Sequence, residues 1–339
     1  MKAALLYEYG QPLRIEEVAT PEPAAGEVLV RIASTGACHS DLHVMSGEMP
    51  IVPHMPWILG HENAGYVEAL GEGASGVEVG EPVLVWGGWG CGVCRQCRSG
   101  DEQVCNVLRW GGLGRPGGYA EYLVVPSPRN LISIPGLDPA TAAPLTDAAL
   151  TPYRAVRKAL PFIHPGSTVV IMGIGGLGQY GVQFLRLLSG ARVVAVDTAA
   201  DKRDRALALG ADLALDPTEV DVVAEIEGMT GGVKASAVLD FVGVDATMGT
   251  AAGCLGKQGV FVLVGLAGGQ VPVSFMGWSP ESTIKTSTWG NRNELAEVVA
   301  LAEAGRITGE VEQAPLTAIN EVFDRLEHGA VAGRAVLNP

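Results

Sequence analysis

Residues 168–190, TVVIMGIGGLGQYGVQFLRLLSG, constrain the fold more than any other stretch of the chain. The opening TVVIM is a run of apolar, β-branched-rich side chains, which reads as a buried strand. The closing GQYGVQFLRLLSG has the apolar spacing of a helix. Between them lies a glycine loop. A strand that feeds a helix through such a loop is the start of a βαβ unit, and βαβ units build parallel sheets. The pattern continues through RVVAVD, a helix over DKRDRALALG, LALD, AVLDFVG, a helix over 245–255 and GVFVLVG. This half of the chain therefore predicts a doubly wound parallel sheet with helices on its faces.

Residues 1–135 read differently. EVLVRIAS, GYVEAL, EPVLVW, YAEYLVV and LISIP are short strand-like runs separated by Gly, Pro, Glu and Asp. They predict a turn-rich antiparallel β domain. At 339 residues two domains are expected. After about residue 288 come a helix ELAEVVALAEAG, a strand-like EVEQAPL, a helix INEVFDRLEHG and a final strand RAVLN, a tail that either domain could claim.

The net charge of −14 repels phosphate backbones and anionic lipid, which argues against nucleic-acid and membrane partners. The opening MKAALLYEYG reads as a first strand and not as a secretory signal. No apolar run approaches the ~20 residues that span a bilayer. A cytoplasmic protein is expected.

The loop itself is Gly173-Ile174-Gly175-Gly176-Leu177-Gly178, which matches G-x-G-x-x-G in its required strand-to-helix context. Glycines there let the backbone turn sharply and approach a pyrophosphate, and the free N–H groups of the helix start face the charge. Asp197 closes the next strand, about 20 residues on, where an acid accepts hydrogen bonds from the adenosine ribose. A ligand-free tight turn is the alternative. Lys202 and Arg203 follow and could serve a 2′-phosphate. On the next helix, however, both can turn to solvent, so NAD is expected over NADP.

Four of the six cysteines crowd into CGVCRQCRSGDEQVC as Cys91, Cys94, Cys97 and Cys105. Four thiolates on one loop can close a tetrahedral structural zinc site. An iron–sulfur cluster or two disulfides are the other readings. GACHSDLH and GHE add Cys38 and His61, a thiol and an imidazole that suit zinc. Each could equally be a core cysteine or a satisfied polar histidine. A catalytic zinc needs three protein ligands and an open position.

Taken in this order, GACHSDLH, GHE, the four-cysteine run and GIGGLG resemble the zinc-dependent medium-chain alcohol dehydrogenases, bacterial secondary-alcohol members among them. The resemblance covers essentially the whole chain. It implies a GroES-like β domain, residues 1–150 and 289–339, with catalytic and structural zinc, plus a Rossmann dinucleotide-binding domain, residues 151–288, and an active site in the cleft between them. A Cys₂His ligand set is the worked example usually given for alcohol dehydrogenase. Where the family often has the second Cys, in APLTDAALTPYRAV, this chain has Asp147. The resemblance makes Asp147 a zinc ligand; the alternative is an N-cap for a helix beginning near Ala148.

Other roles follow residue by residue. Asp41 resembles the acid that orients the zinc-bound His, and Glu62 the acid that approaches the metal during ligand exchange. Ser40 resembles the hydroxyl that receives the alcohol proton, and His43 the histidine that passes it to solvent. His39 stands where a basic residue meets the pyrophosphate. The implied function is hydride transfer between NAD(H) and an alcohol, ketone or aldehyde, with two zinc ions per chain. Trp57, Trp110 and Trp289 are candidate pocket walls, though each could be ordinary core. A homodimer or homotetramer is implied, with GVFVLVG and PVSF at a dimer edge. A zinc-free quinone or enoyl reductase of the same superfamily and a non-enzymatic zinc ribbon are the competing readings. The cysteines and histidine oppose the first; the charge and the glycine loop oppose the second.

Overall fold

A computed structural model describes residues 1–107 and 109–339. It divides into two compact units, Met1–Leu150 with Trp289–Pro339, and Thr151–Thr288.

The first unit is built on a seven-stranded sheet. Val28–Gly36 is its central strand. It pairs antiparallel with Glu62–Leu70, Tyr122–Val125 and Arg334–Asn338. The sheet runs on through Pro82–Val85 to Leu131–Ser133 on one side and through Arg334–Asn338 to Val311–Pro315 on the other. Two register shifts between Val28–Gly36 and Glu62–Leu70 curl this pair, as bulges do. A smaller sheet of Arg14–Glu17, Lys2–Leu6 and Trp57–Ile58 lies apart.

The tail supplies part of the core of this unit. In helix Ile319–Glu327 the apolar residues Ile319, Val322, Phe323 and Leu326 recur at three- and four-residue steps. That face packs with Leu6, Leu13, Val44, Trp57, Leu59 and Tyr119. Each such side chain, fully buried, contributes about 1.5–3 kcal/mol relative to exposure. The packing sets the following strand Arg334–Asn338 beside Gly36, with Val336 opposite it. The antiparallel expectation covered residues 1–135; the tail adds one parallel pairing, Val311–Pro315 on Arg334–Asn338. It arises because both strands come from the tail and are joined by the helix, which returns the chain in the same direction.

The second unit is a six-stranded parallel sheet. Its order is Leu213–Leu215, Arg192–Val196, Thr168–Met172, Ala235–Asp240, Leu255–Leu263, Thr283–Thr286. In chain order this is 3-2-1-4-5-6, the arrangement of doubly wound dinucleotide-binding sheets. Helices Gly178–Leu188, Ala200–Ala208, Val222–Thr230 and Asp245–Cys254 link the strands. Val170, Val194, Val238 and Phe261 are fully buried in the core, as the apolar runs required.

The glycine loop is fixed by contact. At Gly178 an added Cβ would lie 1.9 Å from the carbonyl oxygen of Gly173. Gly173 has φ +84°, and a Cβ there would lie 2.4 Å from Val242 Cγ2. Gly228, in helix Val222–Thr230, faces open space. Ala in place of a helical Gly normally stabilises by up to about 1 kcal/mol. Gly228→Ala is expected to do so. Gly178→Ala should reverse the sign and cost about 1–3 kcal/mol through overpacking. Denaturant midpoints of the two variants check this, and equal shifts would show that the loop relaxes.

Candidate active site and metal centres

Strand Val28–Gly36 hands over to helix His39–Ser46 at Cys38, the helix N-cap. The Cys38 backbone N–H donates to Asp41 Oδ2 at 3.2 Å, so the first-turn acid fixes the entry of the chain. Next door, His61 and Glu62 sit at the start of strand Glu62–Leu70, with Glu62 opposite Gly36. A Cβ on Gly36 would lie 1.7 Å from Glu62 Oε2. Glycine at 36 thus makes room for a buried carboxylate. Asp147 follows the 3-10 turn Ala143–Thr146. Helix Leu150–Ala159 begins three residues after it, so the cap position falls at Ala149 and not at Asp147.

These elements bring Cys38, His61, Glu62 and Asp147 together, with one donor atom of each within 4.8 Å of the others. Asp147 Oδ2 lies 3.7 Å from Cys38 Sγ and 3.5 Å from His61 Nε2. Ligands about 2.0–2.3 Å from a tetrahedral zinc are separated by about 3.3–3.8 Å, so these donors fit one ion. His61 is oriented from behind. Its Nδ1 is 3.3 Å from Asp41 Oδ1, which leaves Nε2 facing Asp147. Burial pulls the His61 pKa down, but Asp41 and Asp147 outweigh it and hold the value well above the usual range. A cation at Nε2 therefore suits this pocket. The Tyr119 hydroxyl, 2.7 Å from Asp41 Oδ2, donates to it. Burial, reinforced by Asp41, raises the Tyr119 pKa well above its ordinary value.

Arg334 was not legible in the sequence. It is 3% exposed, and its Nε donates to Glu62 Oε2 at 3.0 Å while Nη2 reaches Oε1. The Ala148 N–H also donates to Glu62 Oε1, at 3.1 Å. Arg334 Nη2 stands 3.7 Å from Asp147. Burial pushes Glu62 up to about 7 against the pull of this arginine. The available signal was an arginine heading the apolar run Ala335–Leu337 of the final strand.

The remaining expected residues are spread around this centre. Ser40 Oγ is 3.6 Å from Cys38 Sγ. His43 lies on the same helix with Nδ1 2.6 Å from Glu48 Oε2, and His39 is exposed. Trp289 stands edge-on to His61 at 5.7 Å and to Trp110 at 5.0 Å. Its indole N–H donates to the Thr146 carbonyl at 2.6 Å. Its φ of +46° lies in the left-handed region, costly for a bulky residue and characteristic of functional sites. Trp57 packs in the apolar core, with its N–H donating to the Gly112 carbonyl.

The second cluster is Cys91, Cys94, Cys97 and Cys105. Sulfur separations of 3.4, 3.8 and 4.0 Å link Cys94 to Cys97, Cys94 to Cys105 and Cys91 to Cys97. A disulfide needs about 2.05 Å, so the disulfide reading fails. Four sulfurs about 2.3 Å from one zinc would lie about 3.8 Å apart. Backbone N–H groups of Val93 and Cys94 lower the Cys91 thiol to about 6, while burial pushes Cys97 up to about 12. A bound cation removes that conflict by compensating all four thiolates. Glu102 anchors the lobe from beneath, buried and 2.8 Å from Arg129 Nη2.

In the second unit, the space over Gly175 is open, as close approach of a pyrophosphate requires. Asp197 Oδ2 accepts from Ile174 N–H at 2.8 Å and Oδ1 from Ala199 N–H at 2.9 Å. Arg203 lies on helix Ala200–Ala208 as expected, but it does not turn to solvent. Its Nη1 is 2.7 Å from Asp216 Oδ2 and donates to the carbonyls of Asp197 and Thr198.

The two metal centres differ in closure, and so in lability. Four cysteines would complete a zinc shell; Cys38, His61 and Asp147 as ligands would leave a position open. Wild-type protein should carry two zinc ions per chain, and chelator should strip one well before unfolding. Asp147→Ala should retain the cysteine-bound ion and lose the other. A helix cap would instead cost about 1 kcal/mol with both ions kept. Elemental analysis beside thermal melts decides between them.

Comparison with known proteins agrees with this geometry. Residues 24–136 match the alcohol dehydrogenase GroES-like domain, and residues 176–304 the zinc-binding dehydrogenase family. The chain is 38% identical over 345 residues to a D-arabinose 1-dehydrogenase (NADP(+)) of Saccharolobus solfataricus, covering 100% of this chain and 97% of the relative. Other relatives of similar coverage are NAD-dependent alcohol dehydrogenases. Among solved structures, the alcohol dehydrogenase of the hyperthermophilic archaeon Aeropyrum pernix superposes with a TM-score of 0.93 at 40% identity, covering 100% of both chains. An acetophenone reductase of Geotrichum candidum, solved with NAD, superposes at 0.89 and 33% identity, covering 100% of this chain and 97% of that one. The chain therefore belongs to the zinc-dependent medium-chain alcohol dehydrogenases, oxidoreductases that move a hydride between NAD(H) and an alcohol or carbonyl.

Proposed function

We propose that this enzyme acts on secondary alcohols and the corresponding ketones with NAD(H), and that Cys38, His61 and Asp147 hold the catalytic zinc. The observation that carries the reading is this buried three-donor cluster with the Trp289 ring against His61. When bound, the zinc supplies Lewis acidity to a substrate oxygen and the nicotinamide supplies the hydride acceptor.

This chain's residues do the rest. Asp41 fixes the His61 ring, and Tyr119 fixes Asp41. Ser40, two residues beyond Cys38 with its Oγ 3.6 Å from the Cys38 Sγ, takes the hydroxyl proton. His43 carries it onward: with Nδ1 on Glu48, its Nε2 is left as the acceptor. Trp110 and Trp289, near-perpendicular at 85°, form an apolar corner that suits two carbon branches and excludes water. The acetophenone reductase likeness supports a ketone substrate. Glu62 is the acid that can exchange at the metal, with Arg334 holding it back. In the nucleotide site, Gly173, Gly175, Gly176, Leu177 and Gly178 receive the pyrophosphate, and Asp197 receives the ribose hydroxyls.

Among the described residues no helix is long and apolar enough to cross a membrane. Val273, Phe275 and Met276 are 72, 91 and 89% exposed, an apolar segment that supports a homo-oligomer, and the cytoplasm is the compartment that suits the free thiols.

A scan of primary and secondary alcohols, aldehydes and ketones with both cofactors tests the reading. Secondary alcohols should give the highest kcat/KM, and NAD should exceed NADP by about a hundredfold, about 2.8 kcal/mol. A best rate with primary alcohols would reject the substrate assignment. His43→Ala should lower turnover chiefly below neutral pH, with small exogenous bases restoring part of it; an unchanged pH profile removes His43 from the proton path.

A further inference from the structure

The one cation close to Asp197 in the described contacts is already neutralised, and the residue responsible has no role in the reading above. Arg203 leaves helix Ala200–Ala208 and folds back over the end of the preceding strand. Its Nη1 donates to the carbonyl oxygens of Asp197 at 2.9 Å and Thr198 at 2.8 Å. The same nitrogen lies 2.7 Å from Asp216 Oδ2. Both side chains are largely sheltered, 18% exposed for Arg203 and 10% for Asp216.

Asp216 is itself held. Its Oδ1 accepts from the Thr218 backbone N–H at 2.9 Å and from the Thr218 hydroxyl at 2.6 Å. Those Thr218 bonds, with Arg203, hold its carboxyl below the usual range, so it is ionised at neutral pH. It follows directly on Leu213–Leu215, the strand that pairs parallel with Arg192–Val196, which ends one residue before Asp197. The two acids therefore end adjacent strands on the same edge of the sheet, with Arg203 between them.

We propose that Asp216 is a specificity-determining residue: by holding Arg203 against the Asp197 and Thr198 carbonyls, it withdraws this cation from an adenosine 2′-phosphate. The proposal rests on the nucleotide reading of the glycine loop and Asp197. Its consequence is that NAD selectivity has two parts. Asp197 binds the ribose hydroxyls and repels a 2′-phosphate. Asp216 prevents Arg203 from compensating. Removing Asp197 alone leaves a neutralised guanidinium, still bonded to two carbonyls, and gives a 2′-phosphate little.

Direct binding reads this without turnover. Calorimetry of 5′-AMP and adenosine 2′,5′-bisphosphate on the full-length, metal-replete protein supplies the probes. Asp197→Gly alone should change affinity for the bisphosphate less than about threefold. Asp197→Gly/Asp216→Asn should tighten it at least about tenfold beyond the single variant, and adding Arg203→Ala should erase that gain. Asp216→Ser makes the same release with a smaller side chain should the Asn variant fail to fold. A double variant no better than Asp197→Gly, or a gain that survives Arg203→Ala, overturns the role of Asp216 while 5′-AMP binding by the wild type keeps the nucleotide reading intact. A wild type with no affinity for 5′-AMP overturns both.

Discussion

The first unit is organised around a problem of buried charge. Asp41, Glu62 and Asp147 are carboxylates at 0, 0 and 9% exposure, and the Cys38 thiol lies among them. Arg334 and His61 are the cationic partners within contact. An ionised carboxylate is costly to bury without compensation. Each neighbour can be understood by what it offers: Arg334 forks onto Glu62, Ala148 N–H adds a third donor, and Tyr119 and Cys38 N–H serve Asp41. Cys38 Sγ, His61 Nε2 and Asp147 Oδ2 share one face of this cluster, where a divalent cation would add further compensation. The sheet, the bulged strand pair and the tail helix are the means by which residues far apart in sequence reach one place.

That dependence explains what could be read from sequence and what could not. The glycine loop, the four-cysteine lobe and the doubly wound sheet are local patterns, each legible because its residues are neighbours in the chain. Cys38 and His61 were legible as donor types, and Asp147 through the family resemblance. Arg334 was not, because it lies 272 residues from Glu62 and reaches it through strand pairing with Val28–Gly36. Tyr119 was hidden for the same reason, 78 residues from Asp41. Arg203 was placed on the right helix but given the wrong direction. Periodicity assigns a residue to a face; it says nothing of an acid waiting on the adjacent strand.

Trp289 shows a different limit. Its left-handed φ is not encoded by its own type, since bulky residues avoid that region. The surroundings impose it. Its N–H is bound to the Thr146 carbonyl, and the ring tip lies so close to Gly87 that a Cβ there would come within 2.9 Å. The strain, of order 1–3 kcal/mol, is offset by burial of the ring and by that hydrogen bond. Thr146 directly precedes Asp147. The tryptophan ring and the Asp147 carboxylate are thus set by one short turn, and a change that moves the tryptophan also moves the carboxylate.

Asp197 carries a similar double load. Its oxygens hold Ile174 N–H, inside the glycine loop, and Ala199 N–H, at the start of the next helix. Its backbone N–H donates to the Leu215 carbonyl, immediately before Asp216. The carboxylate proposed to select the ribose therefore also shapes the glycine loop and joins two strand ends. Each lost backbone hydrogen bond to a charged group is worth about 1.5–3 kcal/mol. Replacing Asp197 sets these lost loop bonds against the relief of repulsion at a 2′-phosphate, so the single variant gains little affinity for a phosphorylated nucleotide. Asp216 is free of that burden: its side chain bonds to Thr218 and Arg203 and not to the glycine loop. Where the acid proposed to select the ribose is also a structural tie, a change at Asp216 is needed beside one at Asp197 before Arg203 can meet a 2′-phosphate.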